Sequence, residues 1–359
     1  MNKQIIVHII PSLEIGGAEM MLEGLVLEQS KNHVVFIISL YNYNTDISNR
    51  IINNNIKVIF LNKKHGIDLK LLFSLRKVLK SIKPNIIHTH LYALNHLLLS
   101  LFFRRKSIFH TLHTTVDKEF GLFNRLFISL FYRLKIVNPI VISNQIQQSF
   151  IKLYRFKTPP PIIWNGVELN KIPSKENYKV NSVIKIVHIG NFKEAKNHVN
   201  LINKFYELIK INPNYELNLI GTGELLPVIQ KLVFDLKLKS NVVFLGQRND
   251  VRSILKEFDI FVLPSLWEGM PISIIEAMAA GLPIICSRVG GIPDMIDSGE
   301  NGILIDSDLN QFINTIVYIS SNQMTRELLG LNAKKKSIMF SSENMAEKYM
   351  LYYEFIKSR

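Results

Sequence analysis

The 359-residue chain has a single cysteine, Cys286, and two tryptophans. One thiol cannot close an internal disulfide, which fits a reducing cytoplasm; a small core side chain describes Cys286 better than a nucleophile. No stretch reaches the ~18 consecutive apolar residues of a membrane-spanning helix, and the longest candidate, Leu91–Phe103, is broken by Asn95 and His96. The opening "MNKQIIVHIIPSLEIGG" carries one lysine and an apolar run too short for a signal peptide, and it reads as a first strand. No G-x-G-x-x-G is present, which argues against a dinucleotide oxidoreductase. Acidic residues are scarce in one half only: residues 1–180 hold 24 Lys and Arg against 10 Asp and Glu, whereas residues 181–359 hold 19 of each. The whole formal charge of +14 therefore lies in the first half, which should face something anionic. No nucleic-acid reader motif accompanies it, so nucleic acid is not an expected partner.

The chain is 47% hydrophobic and 20% charged, the balance of a well-buried protein whose length favours two domains. Strand-like runs alternate with helix-length segments throughout. They are "QIIVHII", "VVFIISL", "KVIFLN", "PNIIHTH", "SIFHTLH", "PIVIS" and "PIIWNG", then "IKIVHIG", "ELNLIG", "NVVFLG", "IFVLPS" and "PIICS". Continuous Ile/Val-rich runs predict parallel strands covered on both faces, a doubly wound α/β pattern occurring twice. The polar stretch "KIPSKENYKVNSVIK" is the linker candidate. Expected domains are 1–175 and 176–340, with a weakly capped last helix at 341–359 returning to the first domain. Ligands of such sheets bind beyond the carboxyl ends of the strands, so the informative residues should lie just after strands, at a cleft between the domains.

After the first strand, Gly16 and Gly17 precede a helix, where backbone amides favour an anion; a plain turn is the alternative. In the second half Gly190 ends a strand and Lys196 opens the next helix, suiting a diphosphate unless it is merely a solvated lysine. "LPSLWEGMPISIIEAMAAGLPII" (Leu263–Ile285) is more specific. A buried, unpaired carboxylate is very costly, yet this apolar segment holds Glu268 on its turn and Glu276 inside its helix. Ser273, Glu276 and Ala280 fall on one narrow helical stripe. Pro271 suits the first helical position, leaving the N–H groups of Met270, Ile272 and Ser273 beside Glu268. Glu276 lies roughly 7 Å along the axis from the turn. Two acids spread along one segment suit two grips on an elongated ligand better than the ~5–5.5 Å carboxylate pair of a retaining glycosidase.

"PSLWEGMPISIIEAMAAGLPIICSRVGGIPDMI", with its E-x7-E, resembles the donor-site signature of the retaining GT-B glycosyltransferases of family 4. "IGGAE", "TLHTT", "WNGVELN", "GNFKEAKNH", "GTGEL" and "NVVFLGQRNDV" follow in the family's order, so the resemblance spans nearly the whole chain. It implies an α/β GT-B fold: two doubly wound Rossmann-like domains with an inter-domain cleft, the acceptor held by the first and a nucleotide-sugar donor by the second. Glu276 would hold the ribose hydroxyls. Glu268, with the backbone of Gly269, Met270 and Ile272, would hold the donor sugar. Lys196 would bind the diphosphate, helped by the Gly16–Gly17 amides, and His113 would lie close to the sugar, with a hydrogen-bonded strand-end histidine as the alternative. The catalytic set expected is His113, Lys196 and Glu268. Two positions depart from the family pattern: Asn191 stands where an arginine is usual, so that Lys193 or Arg248 would have to substitute, and Pro271 stands where a glycine is common.

The implied activity is retaining transfer of a sugar from a nucleotide-diphosphate sugar, a UDP-sugar foremost, to a glycan or polyprenyl-linked acceptor in surface polysaccharide assembly such as capsule or O-antigen. No metal cofactor is expected. Asp306 and Asp308 in "IDSDLN" read as a helix cap, and His88 and His90 share a strand face and could ligate zinc, but no Cys or carboxylate partner lies at a suitable spacing. "EFGLFNRLFISLFYRLKIVNP" and "HLLLSLFFRRKS" mix aromatic, aliphatic and basic residues and suggest reversible docking to an anionic membrane surface, on the inner face of the cell membrane, although such stripes are also core-forming. A sugar-nucleotide 2-epimerase of the same architecture and a non-catalytic sugar-nucleotide-binding protein are the competing readings.

Overall fold

Twelve strands form two wholly parallel sheets in the computed structural model, which describes residues 3–43, 45–64, 66, 68–100, 107–119, 121–306 and 311–358. The chain divides into two compact units, residues 1–167 with 341–359, and residues 168–340.

In the first unit the strands are β1 (Ile5–Ile10), β2 (Val34–Ser39), β3 (Lys57–Phe60), β4 (Ile86–His90), β5 (Ile108–Leu112) and β6 (Val137–Val141), in the order β3-β2-β1-β4-β5-β6. In the second they are β7 (Ile184–Ile189), β8 (Tyr215–Ile220), β9 (Val242–Gly246), β10 (Ile260–Leu263), β11 (Ile284–Ser287) and β12 (Ile303–Ile305), in the order β12-β11-β10-β7-β8-β9. Both are the doubly wound arrangement in which strand order reverses beside the first strand. The central strands are apolar at successive positions because both faces are covered: β10 and β11 are buried at every residue.

Two strand expectations are corrected. "PIIWNG" is not a strand. Only Ile162 forms a bridge, to Val141, because Pro160 and Pro161 have no N–H to give and Ile163 supplies the one donor, to the Val141 carbonyl. The second sheet also has a sixth strand, β12, whose three residues are too few to stand out as a run.

Helix α1 (Gly17–Ser30) follows β1 with Gly16 as its N-cap. Helix α2 (Leu122–Arg133) follows β5, α3 (His198–Ile211) follows β7, and α4 (Ile272–Ala279) connects β10 to β11. The last helix, α5 (Ser342–Ser358), belongs to the first unit. Ser341 Oγ accepts the Asn344 N–H at 3.1 Å and so caps it, a bond that the sequence pattern does not announce. Tyr349 and Tyr353 of α5 are fully buried against β4 and β5: the Tyr349 hydroxyl is 3.0 Å from Thr111 Oγ1, and the Tyr353 hydroxyl is 2.5 Å from His88 Nδ1.

Candidate functional site

The second unit gathers its polar side chains where β7 and β10 lie side by side, at the reversal of strand order. The loop after β7 runs through a short 3-10 turn, Glu194–Lys196, into Asn197, whose left-handed backbone (φ 59°) starts α3. The loop after β10 carries Ser265, Glu268 and Pro271. The two loops are tied together, Leu266 N–H to the Ala195 carbonyl at 2.8 Å and the Asn197 amide to the Pro264 carbonyl at 3.1 Å.

Glu268 and Lys196 are each other's partners: Nζ lies 2.5 Å from Oε1, and Ser265 Oγ donates to the same oxygen at 2.6 Å. Both ions are largely buried, so each makes the other's burial tolerable. An ammonium has three N–H donors, so one bond to Glu268 leaves Lys196 with donors for an anion. The stem of Lys196 crosses Gly190, where a Cβ would come within 3.1 Å of it. Gly290, at φ +63°, lets the loop after β11 pass against the Glu268 carbonyl, and Gly291 N–H then donates to the Gly269 carbonyl at 2.7 Å. A side chain at Gly290 would collide with backbone that cannot yield.

Glu276 is the fifth residue of α4 and is buried. Its partner is one that sequence reasoning missed: Arg252 Nε donates to Oε1 at 2.8 Å, while Arg252 Nη1 lies 3.9 Å from Glu168. A buried carboxylate needs a cation, and that requirement was the available signal; nothing in "NDVRSIL" marks the arginine itself. Ser265 was missed likewise. Oε2 of Glu276 makes no hydrogen bond among the described residues. Pro271 is the N-cap of α4 (φ −72°, ψ 121°) and not its first helical residue, a correction of one position. No side chain caps this helix, and its leading N–H groups lie beside Glu268 in the sequence.

The remaining residues are placed as follows. Asn191 and Lys193 are exposed on the loop after β7. Arg248 is bound within its own loop, Nε and Nη2 reaching the Asp250 carboxylate at 2.8 and 2.5 Å, so the structure does not bring it to Lys196 or Glu268. Asp306 is exposed, and Asp308 lies outside the described residues.

In the first unit, Gly16 and Gly17 open α1, but the Glu19 carboxyl folds back over Gly16, where it would meet any Cβ. Burial pushes the Glu19 pKa up to about 7. His113 follows β5. Its N–H donates to Glu119 at 3.0 Å, and its Nε2 is 3.2 Å from His90 Nδ1. His88 and His90 are joined by a histidine not anticipated, His8 of β1, and ring nitrogens of the three lie within 4.8 Å of one another. Register explains the encounter, since His8 stands directly opposite His88. Burial holds the His8 pKa down to about 4 and those of His88 and His90 well below the usual range.

Two parallel doubly wound sheets with a charged site at the strand-order reversal of the second define a nucleotide-fold enzyme of GT-B architecture. Residues 184–322 match the profile described as glycosyl transferases group 1, and residues 15–171 the profile described as glycosyltransferase family 4. The chain is 31% identical over 293 residues to the Escherichia coli UDP-Gal:alpha-D-GlcNAc-diphosphoundecaprenol alpha-1,3-galactosyltransferase, covering 76% of this chain and 75% of that one. Over 187 residues it is 29% identical to the N-acetyl-alpha-D-glucosaminyl L-malate synthase of Bacillus anthracis, covering 51% of this chain and 49% of that one. The crystal structure of Anabaena Alr3699/HepE in complex with UDP-glucose superimposes with a TM-score of 0.83 over 99% of this chain and 100% of that one, at 19% identity, a likeness of fold. The chain belongs to the family 4 glycosyltransferases and is a glycosyltransferase.

Proposed function

We propose that the protein is a retaining transferase that moves a sugar from a UDP-sugar to a glycan or polyprenyl-linked acceptor in surface polysaccharide assembly. The observation that carries this reading is the pairing of Lys196 with Glu268 at the strand-order reversal, beside the uncapped start of α4. Lys196 binds the diphosphate and stabilises it as it leaves, a charge that develops only as the glycosidic bond breaks. Glu268 and the backbone at Gly269, Met270 and Ile272 hold sugar hydroxyls, and each hydrogen bond to a carboxylate contributes about 1.5–3 kcal/mol. Glu276, pinned by Arg252, offers Oε2 to the ribose hydroxyls. The donor base follows from the UDP named for the Escherichia coli relative and the Anabaena complex, and the lipid-linked acceptor from the diphosphoundecaprenol of the former. His113 meets the donor sugar in this reading.

The anionic partner is a membrane surface on the cytoplasmic side. Helix α2 buries Ile128 and Tyr132 on one face, while Leu122, Phe123, Leu126 and Leu130 stand out on the other, Phe123 at 86% exposure. No described helix is long and apolar enough to cross a membrane. "HLLLSLFFRRKS" falls partly outside the described residues, 101–106 among them.

A thermal-shift screen over nucleotide sugars tests the donor assignment: a UDP-sugar should raise the melting point, by mass action on the folded state. No shift with any UDP-sugar, or a β-linked product from an α-configured donor, would overturn the proposal.

A further inference from the structure

Five histidine nitrogens and one glutamine oxygen form an unbroken hydrogen-bond line across the first sheet. Gln29 Oε1 is 2.7 Å from His8 Nε2, His8 Nδ1 is 3.1 Å from His90 Nε2, and His90 Nδ1 is 3.2 Å from His113 Nε2. The three imidazoles come from β1, β4 and the loop after β5, neighbouring elements of one sheet. The line starts at a group of fixed polarity. A carbonyl oxygen only accepts, so His8 must carry its proton on Nε2. Gln29 is held in that sense from its other side, where its NH2 group faces Met350 Sδ at 3.8 Å.

Polarity then propagates. A neutral His8 with a proton on Nε2 has a lone pair at Nδ1, so His90 must donate from Nε2; His90 Nδ1 is then a lone pair, so His113 must donate from Nε2. The argument needs neutral rings, and burial provides them: it holds His8 down to about 4, His90 well below the usual range and His113 down to about 3. His113 Nδ1 makes no hydrogen bond among the described residues, and the residue as a whole is partly buried.

We propose that His8 and His90, anchored on Gln29, are positioning residues that lock His113 as the Nε2-protonated tautomer, so that Nδ1 meets a sugar hydroxyl as an acceptor only. A hydroxyl that must donate to Nδ1 has its own lone pairs turned away, so the line selects the orientation of the bound sugar. This rests on the reading that His113 faces the sugar. A metal ion at His8, His88 and His90 competes for the same atoms and would break the line. Both nitrogens of His88 already have partners, Tyr353 and Thr111 Oγ1 at 2.8 Å, which favours the hydrogen-bonded arrangement.

The test is long-range proton–nitrogen NMR on the 15N-histidine-labelled full chain at pH 7, without substrate. His8, His90 and His113 should each show a protonated Nε2 and an unprotonated Nδ1. A His113 protonated on Nδ1, or on both nitrogens, would overturn the inference, as would stoichiometric zinc retained after zinc addition and dialysis with the His8 and His90 resonances moved. In Gln29→Leu, or Gln29→Met if the first does not fold, His113 should become a tautomer mixture and kcat should fall about tenfold while the donor KM stays within twofold. A folded variant with unchanged His113 tautomer also overturns it. Full activity in His113→Ala would instead defeat the reading that His113 faces the sugar and leave the free-protein spectrum as expected.

Discussion

Arg252 Nε lies 2.8 Å from Oε1 of Glu276, joining a cation from the segment after β9 to the one carboxylate inside the apolar helix α4. The pair answers how α4 tolerates that acid. Removing the cation leaves a buried carboxylate without its partner, so Arg252→Ala should destabilise the protein by about 2–4 kcal/mol. It should also weaken donor binding, because an unpaired Glu276 protonates or turns away. Urea unfolding and a donor titration measure the two effects, and a stability unchanged within error would remove Arg252 from the site. Arg252→Lys, with a single compact charge, should recover only part of each.

Lys196 and Glu268 should behave as one unit. Lys196→Ala removes the ammonium from the leaving diphosphate and should lower kcat by about 100- to 1,000-fold, the scale of losing one positioned transition-state donor. Glu268→Gln keeps the shape and loses the charge, and should cost less. The double variant should fall well short of the product of the two single effects, since the partners lie 2.5 Å apart. Multiplicative losses in steady-state rates would mean that the two act independently.

How much of this was legible follows from the range over which each signal acts. The alternation of Ile/Val runs with helices exposed the strands, because burial on both faces makes them apolar without interruption; β12, with three residues, carried too little of that signal. Glu268, Glu276 and Lys196 stood out as charges where the local pattern was apolar or Gly-rich. Arg252 did not, since a lone arginine in a polar segment looks like any solvated one, and its role exists only through a contact 24 residues away. His8 was hidden for the same reason: inside "IIVHII" it reads as a break in a strand, and only the pairing register puts it opposite His88.

Gly290 tests the close approach of the loop after β11. With φ at +63° and the Glu268 carbonyl in the space of a Cβ, Gly290→Ala adds left-handed strain of about 1–3 kcal/mol to a steric displacement of Glu268 itself. Activity should therefore fall more than stability does. Gly299→Ala is the control: its φ is +91° but nothing lies within 4 Å of the added carbon, so it should lose stability and retain activity. Equal effects on activity would show that Gly290 acts only through backbone strain.

Acid should weaken the fold through its buried histidines. His8, His88 and His90 have folded pKa values below the ordinary 6.5, so they bind protons more weakly in the folded state; the stability they contribute is complete above about pH 6.5 and is lost as pH falls toward 4. Glu19 opposes them: its pKa is raised to about 7, so lowering the pH through 7 toward 4.5 relieves a buried charge. His113, His188 and His198 are held down in the same way, so one acid against six histidines leaves a net fall of at least about 2 kcal/mol between pH 7 and 5.5, which denaturant titrations at the two pH values would measure. Glu19→Gln should steepen the loss by removing the opposing group. A stability that rises on acidification in that variant would mean that the histidines are not held neutral.

The exposed stripe of α2 gives membrane docking a sharp test. Leu122, Phe123, Leu126 and Leu130 stand more than half exposed on a helix whose opposite face, Ile128 and Tyr132, is fully packed. Replacing Phe123 and Leu126 by glutamate therefore removes no core contact and should leave the unfolding midpoint unchanged. On liposomes both terms change sign: two inserted apolar side chains are lost, and two like charges face the anionic lipid where each basic residue had contributed about 1 kcal/mol. Co-sedimentation with liposomes rich in anionic lipid should then fall at least tenfold, and binding by the unmodified protein should weaken steeply as salt shortens the screening length. Binding that ignores both lipid charge and the two substitutions would leave the +14 of the first half serving some other anion.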